Sequence, residues 1–233
     1  MHPGRLNYSA IVGTAERLAL RVDDRFRQRG LSSVGHHLAE VARLSQARVE
    51  RLRRPRWPLR ILVIGLIGVL SVIAVYAAAA VEFDAGDVRG FGQWIQVVES
   101  AMQSLIFVAL AAVFLFGIEG RLRRREMLAG LHELRSLAHV IDMHQLTKDP
   151  EALLSPELRT EHSPPRTMTP FELARYLDYC SEMLSLTAKL AAMYAQESED
   201  PVVLDAVREI QDLGSGMSGE IWQKLILLRE FGT

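Results

Sequence analysis

The chain of 233 residues has one cysteine, Cys180, so no intramolecular disulfide is open to it. Packing alone has to hold the fold, as in proteins kept in a reducing compartment, and a lone Cys180 in an apolar row is expected to be a small core residue. Lysine is scarce as well. Lys148, Lys189 and Lys224 are the only three among 27 basic residues, a skew that carries no functional weight. The alternation of a half-buried strand is missing throughout, as are any repeat of 20 to 50 residues and any long low-complexity tract, which excludes sheet and solenoid architectures. No apolar run begins within the first sixty residues, so no cleavable signal peptide is expected. The most informative absence is of charge: Ile61 to Val81 and Ser100 to Ile118 run 21 and 19 residues without a charged side chain.

At about 1.5 Å per residue those runs reach roughly 28 to 31 Å, the thickness of a bilayer's hydrocarbon core. Arg48, Arg51, Arg53, Arg54, Arg56 and Arg60 precede the first run, and Arg121, Arg123, Arg124 and Arg125 follow the second. Between them Arg89 stands among Glu82, Asp84, Asp87 and Glu99. Cationic flanks stay on the cytoplasmic side, so the sequence predicts an inner-membrane hairpin of bacterial type with both termini cytoplasmic, Trp57 and Trp94 being placed for the interface. Arg53, Arg54, Arg56, Arg60, Arg121, Arg123, Arg124 and Arg125 are then expected to face lipid headgroups. Three parts follow: an arm over 1–57, a hairpin over 58–119 with an external loop at 82–99, and a helical bundle over 120–233 with a proline-containing linker near 160–168.

A net charge of −1 hides a polarity, since residues 1–60 carry 13 basic against 5 acidic side chains and residues 127–233 carry 9 against 17. Opposite signs on the two cytoplasmic parts point to docking of one on the other, or to attraction of the arm to anionic lipid. Nucleic acid is not an expected partner, because the membrane flank already accounts for the arginines. In the arm, Ile11, Ala15, Leu18, Val22 and Phe26 recur at a helical period; Gly30 reads as a stop, and Val34, Leu38, Val41, Val49 and Leu52 continue as a second helix. Their apolar faces need a partner, either protein or the lipid interface.

Asp149-Pro150, Ser155-Pro156, Thr169-Pro170 and Asp200-Pro201 each set a capping side chain before a proline suited to the first helical position. Glu172, three residues after Thr169, completes a capping box. The spacing predicts a long helix from Pro170 to about Gln196. Leu173, Leu177, Cys180, Leu184, Thr187, Ala191 and Tyr194 form one apolar row of it, with Tyr176, Met183, Leu186, Leu190 and Met193 beside them. It is expected to be the spine of an all-α bundle completed by Met127 to Leu146, Pro201 to Leu213 and Ser218 to Phe231.

Candidate chemistry is sparse. Arg135, His139 and Asp142 fall within about 60° on one helix and are expected to form a buried polar network. An i, i+3 pair such as His139 and Asp142 also supplies two metal ligands, but no Glu-x-x-His or His-Glu-x-x-His partner completes a site and Arg135 would repel a cation. No metal or other cofactor is expected. Gly214-Ser215-Gly216-Met217-Ser218-Gly219 matches the dinucleotide pattern letter for letter but lacks the preceding strand, so a hinge or a close helix contact is expected there. Gly65, Gly68 and Ser71 step by three along the first run, small enough for helix packing. Gln96, Glu99 and Gln103 share a face at the start of the second and are placed for a pore mouth if several chains surround an axis.

Three functions follow from these features. The first is a non-catalytic membrane protein, an oligomerising scaffold or signal-coupled anchor, whose partners are the bilayer, further copies of itself and a cytoplasmic protein. The second is an oligomeric pore or membrane-perturbing effector; in topology alone the chain resembles the two-helix transmembrane effector modules of bacterial conflict systems. The third is a membrane-tethered metalloenzyme built on His139 and Asp142.

Overall fold

A computed structural model describes residues 5–27, 30–53, 57–79, 88–148, 150, 161–162 and 168–231, and every regular element among them is a helix. They are α1 (Tyr8–Phe26), α2 (Gly30–Arg53), α3 (Trp57–Ala79), α4 (Val88–Leu146), α5 (Pro170–Ala195) and α6 (Pro201–Phe231). The chain divides into two compact units, one of Met1–Arg53 with Arg124–Thr233, the other of Arg54–Arg123.

The first unit has one apolar core, to which α1, α2, α5, α6 and the last part of α4 all contribute. Asn7 caps α1 by accepting from the Ala10 amide at 3.2 Å, one of the four amides a helix start leaves without an internal partner. The apolar row from Ile11 to Phe26 is buried, as are Val34, Leu38, Val41, Val49 and Leu52 of α2. The two helices run antiparallel, pinned by Arg43 to Glu16 at 2.7 Å and Ser32 to Asp23 at 2.6 Å. Where they cross, Gly35 brings its backbone against Ala19, whose Cα would lie 3.4 Å from any added Cβ. Gly30 opens α2 and does not close α1, which ends at Phe26. The arm and the C-terminal helices, set apart in the sequence, therefore share one core.

Helix α5 starts on the capping box foreseen at Thr169: its hydroxyl accepts from the Glu172 amide at 3.2 Å, and the Glu172 carboxylate accepts from the Thr169 amide at 2.8 Å. Both apolar rows of α5 are buried, which makes it the spine of the unit. Phe26 of α1 meets Tyr176 and Tyr179 edge to face, with centroids 5.4 and 6.1 Å apart. One expectation is corrected: Pro201 to Leu213 and Ser218 to Phe231 are a single helix, α6, continuous through the glycine-rich segment. Gly214 faces α5, where an added Cβ would meet the Leu184 carbonyl oxygen at 3.6 Å, an ordinary contact distance. The starts expected at Asp149-Pro150 and Ser155-Pro156 and the linker prolines Pro164-Pro165 lie outside the described residues, apart from Pro150 itself, which is buried.

The second unit consists of α3 and residues 88–123 of α4. Most of its described apolar side chains are open to solvent, among them Ile61, Ile64, Val72, Ile106, Phe107, Leu110 and Val113. Water-facing apolar surface on this scale has no place in an ordinary soluble monomer. Among the described residues one helix, α4, is long and apolar enough to cross a bilayer, while the described apolar stretch of α3, Ile64–Ile73, is shorter.

Candidate functional site

One polar junction of the first unit lies at the α5–α6 turn. Helix α5 ends at Ala195 and α6 begins at Pro201, and the turn between them carries Glu197, Glu199 and Asp200. Glu197 is only 11% exposed. It accepts from the Arg53 Nε at 2.9 Å, from an Arg5 terminal nitrogen at 2.7 Å and from the Tyr8 hydroxyl at 2.8 Å. Burial pushes its carboxyl up, but hydrogen bonds from Arg53 and Tyr8 and the charges of Arg53 and Arg5 outweigh that and hold it below the usual range. Tyr8, desolvated and bonded to that carboxylate, is pushed up to about 12. The Arg53 guanidinium lies over the Tyr8 ring, 5.3 Å from its centroid.

Asp200 serves two partners from the same turn. One oxygen accepts from the Val202 amide at 3.0 Å as the cap of α6; the other accepts from the Arg124 Nε at 2.6 Å. Slight desolvation opposes ionisation, and the Arg124 and backbone hydrogen bonds overcome it, lowering the carboxyl. Arg53 is the last residue of α2, four before α3; Arg124 follows the second uncharged run by six residues. Carboxylates three residues apart thus hold an arginine from each flank.

A second junction lies within the core. Arg48 of α2 donates to the Tyr194 hydroxyl of α5 at 3.0 Å and to the Glu133 carboxylate of α4 at 3.3 Å. Gly130 of α4 lies under this contact, and a methyl group there would overlap both the Tyr194 hydroxyl and the Arg48 guanidinium. Further along α4, fully buried Gln145 accepts from the Lys224 ammonium at 2.7 Å and donates to Asp142 at 2.7 Å. His144 pairs with the Tyr176 hydroxyl at 3.3 Å; burial and then the Lys148 charge lower its pKa.

The network expected from Arg135, His139 and Asp142 is corrected. Arg135 pairs with Glu209 of α6, Asp142 takes the Gln145 amide, and His139 is exposed. A shared helix edge does not fix which neighbour each side chain reaches. Among the described residues no three His, Cys, Asp or Glu side chains are placed to hold a metal ion. Cys180 is buried, and desolvation pushes its thiol up to about 12, far from the thiolate a nucleophile needs.

Gly65 and Gly68 meet nothing within 4 Å beyond their own helix, and the Ser71 hydroxyl donates to the Ile67 carbonyl at 2.8 Å. Gln96, Glu99 and Gln103 are exposed on α4. Of the arginines expected at headgroups, Arg53 and Arg124 hold the turn, and Arg121 donates to the Gly117 carbonyl at 3.2 Å and lies over Phe114. Arg125 is exposed and Arg123 half-buried, whereas Arg54, Arg56 and the Arg60 side chain lie outside the described residues. Glu197, Arg5, Tyr8, Arg48, Glu133 and Tyr194 were not anticipated as a site; the opposite charges of the two parts were the signal that such pairs exist.

Comparison with protein-family models, with curated proteins and with solved structures finds no match to this chain.

Proposed function

We propose that this chain is a non-catalytic two-pass protein of the inner membrane, an anchor and oligomerising scaffold whose cytoplasmic helical bundle is tied to both ends of its transmembrane hairpin. The observation that carries this is the α5–α6 turn, where Glu197 and Asp200 engage Arg53 and Arg124 on the two flanks of the uncharged runs. A bundle bound at both flanks is suited to relaying a binding event on its helices to the hairpin, or the reverse. The exposed apolar side chains of residues 54–123 support insertion, and the arginine bias of both flanks supports cytoplasmic termini. Partners are the bilayer, a second copy of the chain and a cytoplasmic protein.

Native mass spectrometry of the full-length protein released from mild detergent tests the assignment. The expected result is a metal-free monomer or dimer. A closed ring of four or more chains that conducts in planar bilayers, with conductance altered by Gln103→Leu, would replace the scaffold with a pore. Stoichiometric metal that His139→Ala removes would replace it with a metalloprotein.

A further inference from the structure

An open groove of about 270 Å³ lies beside the start of α1 and the end of α2, lined by Arg5, Tyr8, Gln46, Glu50 and Arg53 among others. Both side chains remain accessible, Arg5 54% and Arg53 43% exposed. Each is engaged by Glu197 through one nitrogen, and an arginine has five N–H donors. Glu197 is thus shared by two guanidinium groups that line a groove open to solvent, with Glu50 a second carboxylate acting on Arg53. A phosphodiester carries the same charge and matches the arginine fork in two-point geometry.

We propose that Arg5 and Arg53 take up the phosphate of an anionic lipid headgroup in this groove, in competition with Glu197. The site rests on the membrane-anchor assignment above. Arg53 stands four residues ahead of α3, so the chain holds it within about 14 Å of Trp57 whatever the intervening conformation. Arg51, Arg54, Arg56 and Arg60 add positive charge in the same segment, each cation near an anionic surface being worth about 1 kcal/mol. Glu50 opposes the ligand from the groove wall, its carboxylate accepting from the Gln46 amide at 2.7 Å. When a headgroup takes Arg53, the α5–α6 turn and the start of α6 lose their tie to α2. The bundle then registers the charge of the membrane to which the hairpin anchors it.

Amide hydrogen exchange of full-length protein in nanodiscs tests this, comparing pure phosphatidylcholine with phosphatidylcholine containing phosphatidylglycerol. Exchange over Glu197 to Leu204 is expected to be roughly threefold or more faster in the anionic discs. The variant R5Q/R53Q should exchange fast in both lipids with no difference between them, and exposed Glu50→Gln should enlarge the response without disturbing the core. Equal rates in the two lipids for inserted wild-type protein, or a lipid response that survives in R5Q/R53Q, would overturn the site and leave the anchor standing. Inorganic phosphate added to neutral discs should have no effect; if it reproduces the acceleration, the site takes soluble phosphate and the lipid assignment is wrong. Protein that fails to insert in either disc overturns the anchor and the site together.

Discussion

Gly130 has two polar side chains where a methyl group would go, the Tyr194 hydroxyl and the Arg48 guanidinium. Replacing it by alanine is expected to separate Arg48 from Tyr194 and Glu133 and to lower stability by about 1 to 3 kcal/mol, read as a drop in the melting temperature of the detergent-solubilised protein. Gly214→Ala should cost less, because the Leu184 carbonyl is at ordinary contact distance from the added carbon. Glu197 gives the fold a pH dependence of definite sign. Its carboxyl is held below its ordinary value near 4.5 in the folded chain, so the unfolded chain binds more protons and stability rises with pH. The contribution is whole above about pH 4.5 and drains as pH falls through the folded value, and Glu197→Gln should flatten that acid limb in thermal melts. These residues were hard to find in the sequence. Asp200 was legible as a cap because capping is local, whereas its pairing with Arg124 and that of Glu197 with Arg53 join positions 76 and 144 residues apart.

At the scale of elements, helices declare themselves by period and caps, which is why the apolar faces of α1, α2 and α5 were legible residue by residue. The Thr169 box is a local hydrogen-bond pattern written in two side chains, and Thr169→Ala is expected to cost about 1 kcal/mol of stability. Helix α6 shows where such reading fails. Glycines at 214, 216 and 219 suggest a break on propensity, yet burial of Val207, Ile210, Met217, Ile221 and Leu225 on one side of α6 outweighs their cost. Gly214 lies against α5 at ordinary contact distance, while Gly216 meets nothing within 4 Å. Gly216→Ala should therefore stabilise the protein by about 0.5 to 1 kcal/mol, since it removes freedom from the unfolded chain and clashes with nothing in the folded one. A hinge at this position would give the reverse, a loss of order with no gain in melting temperature. The misassigned trio of Arg135, His139 and Asp142 has the same origin: helical angles tell which side chains share an edge, and only the packing of α4 beside α6 tells that Arg135 reaches Glu209.

For the whole molecule the strongest feature of the sequence is the pair of uncharged runs between arginine-rich flanks, and the strongest feature of the structure is that both flanks are held by one acidic turn. Legibility at this scale was uneven: the runs are visible in composition alone, but the merging of arm and C-terminal helices into one core depends on tertiary contacts such as Phe26 with Tyr176 and Arg21 with Glu182. The central claim is a two-pass anchor with both termini on the arginine-rich side. Substituted-cysteine labelling in intact cells tests it most directly, in a Cys180→Ala background with single cysteines placed in turn at Ser9, Gly86 and Gly216. The account predicts that a membrane-impermeant maleimide reaches only the Gly86 position from outside, with the other two labelled after lysis. Labelling of Ser9 and Gly216 from opposite sides, or recovery of the protein in the soluble fraction, would contradict it.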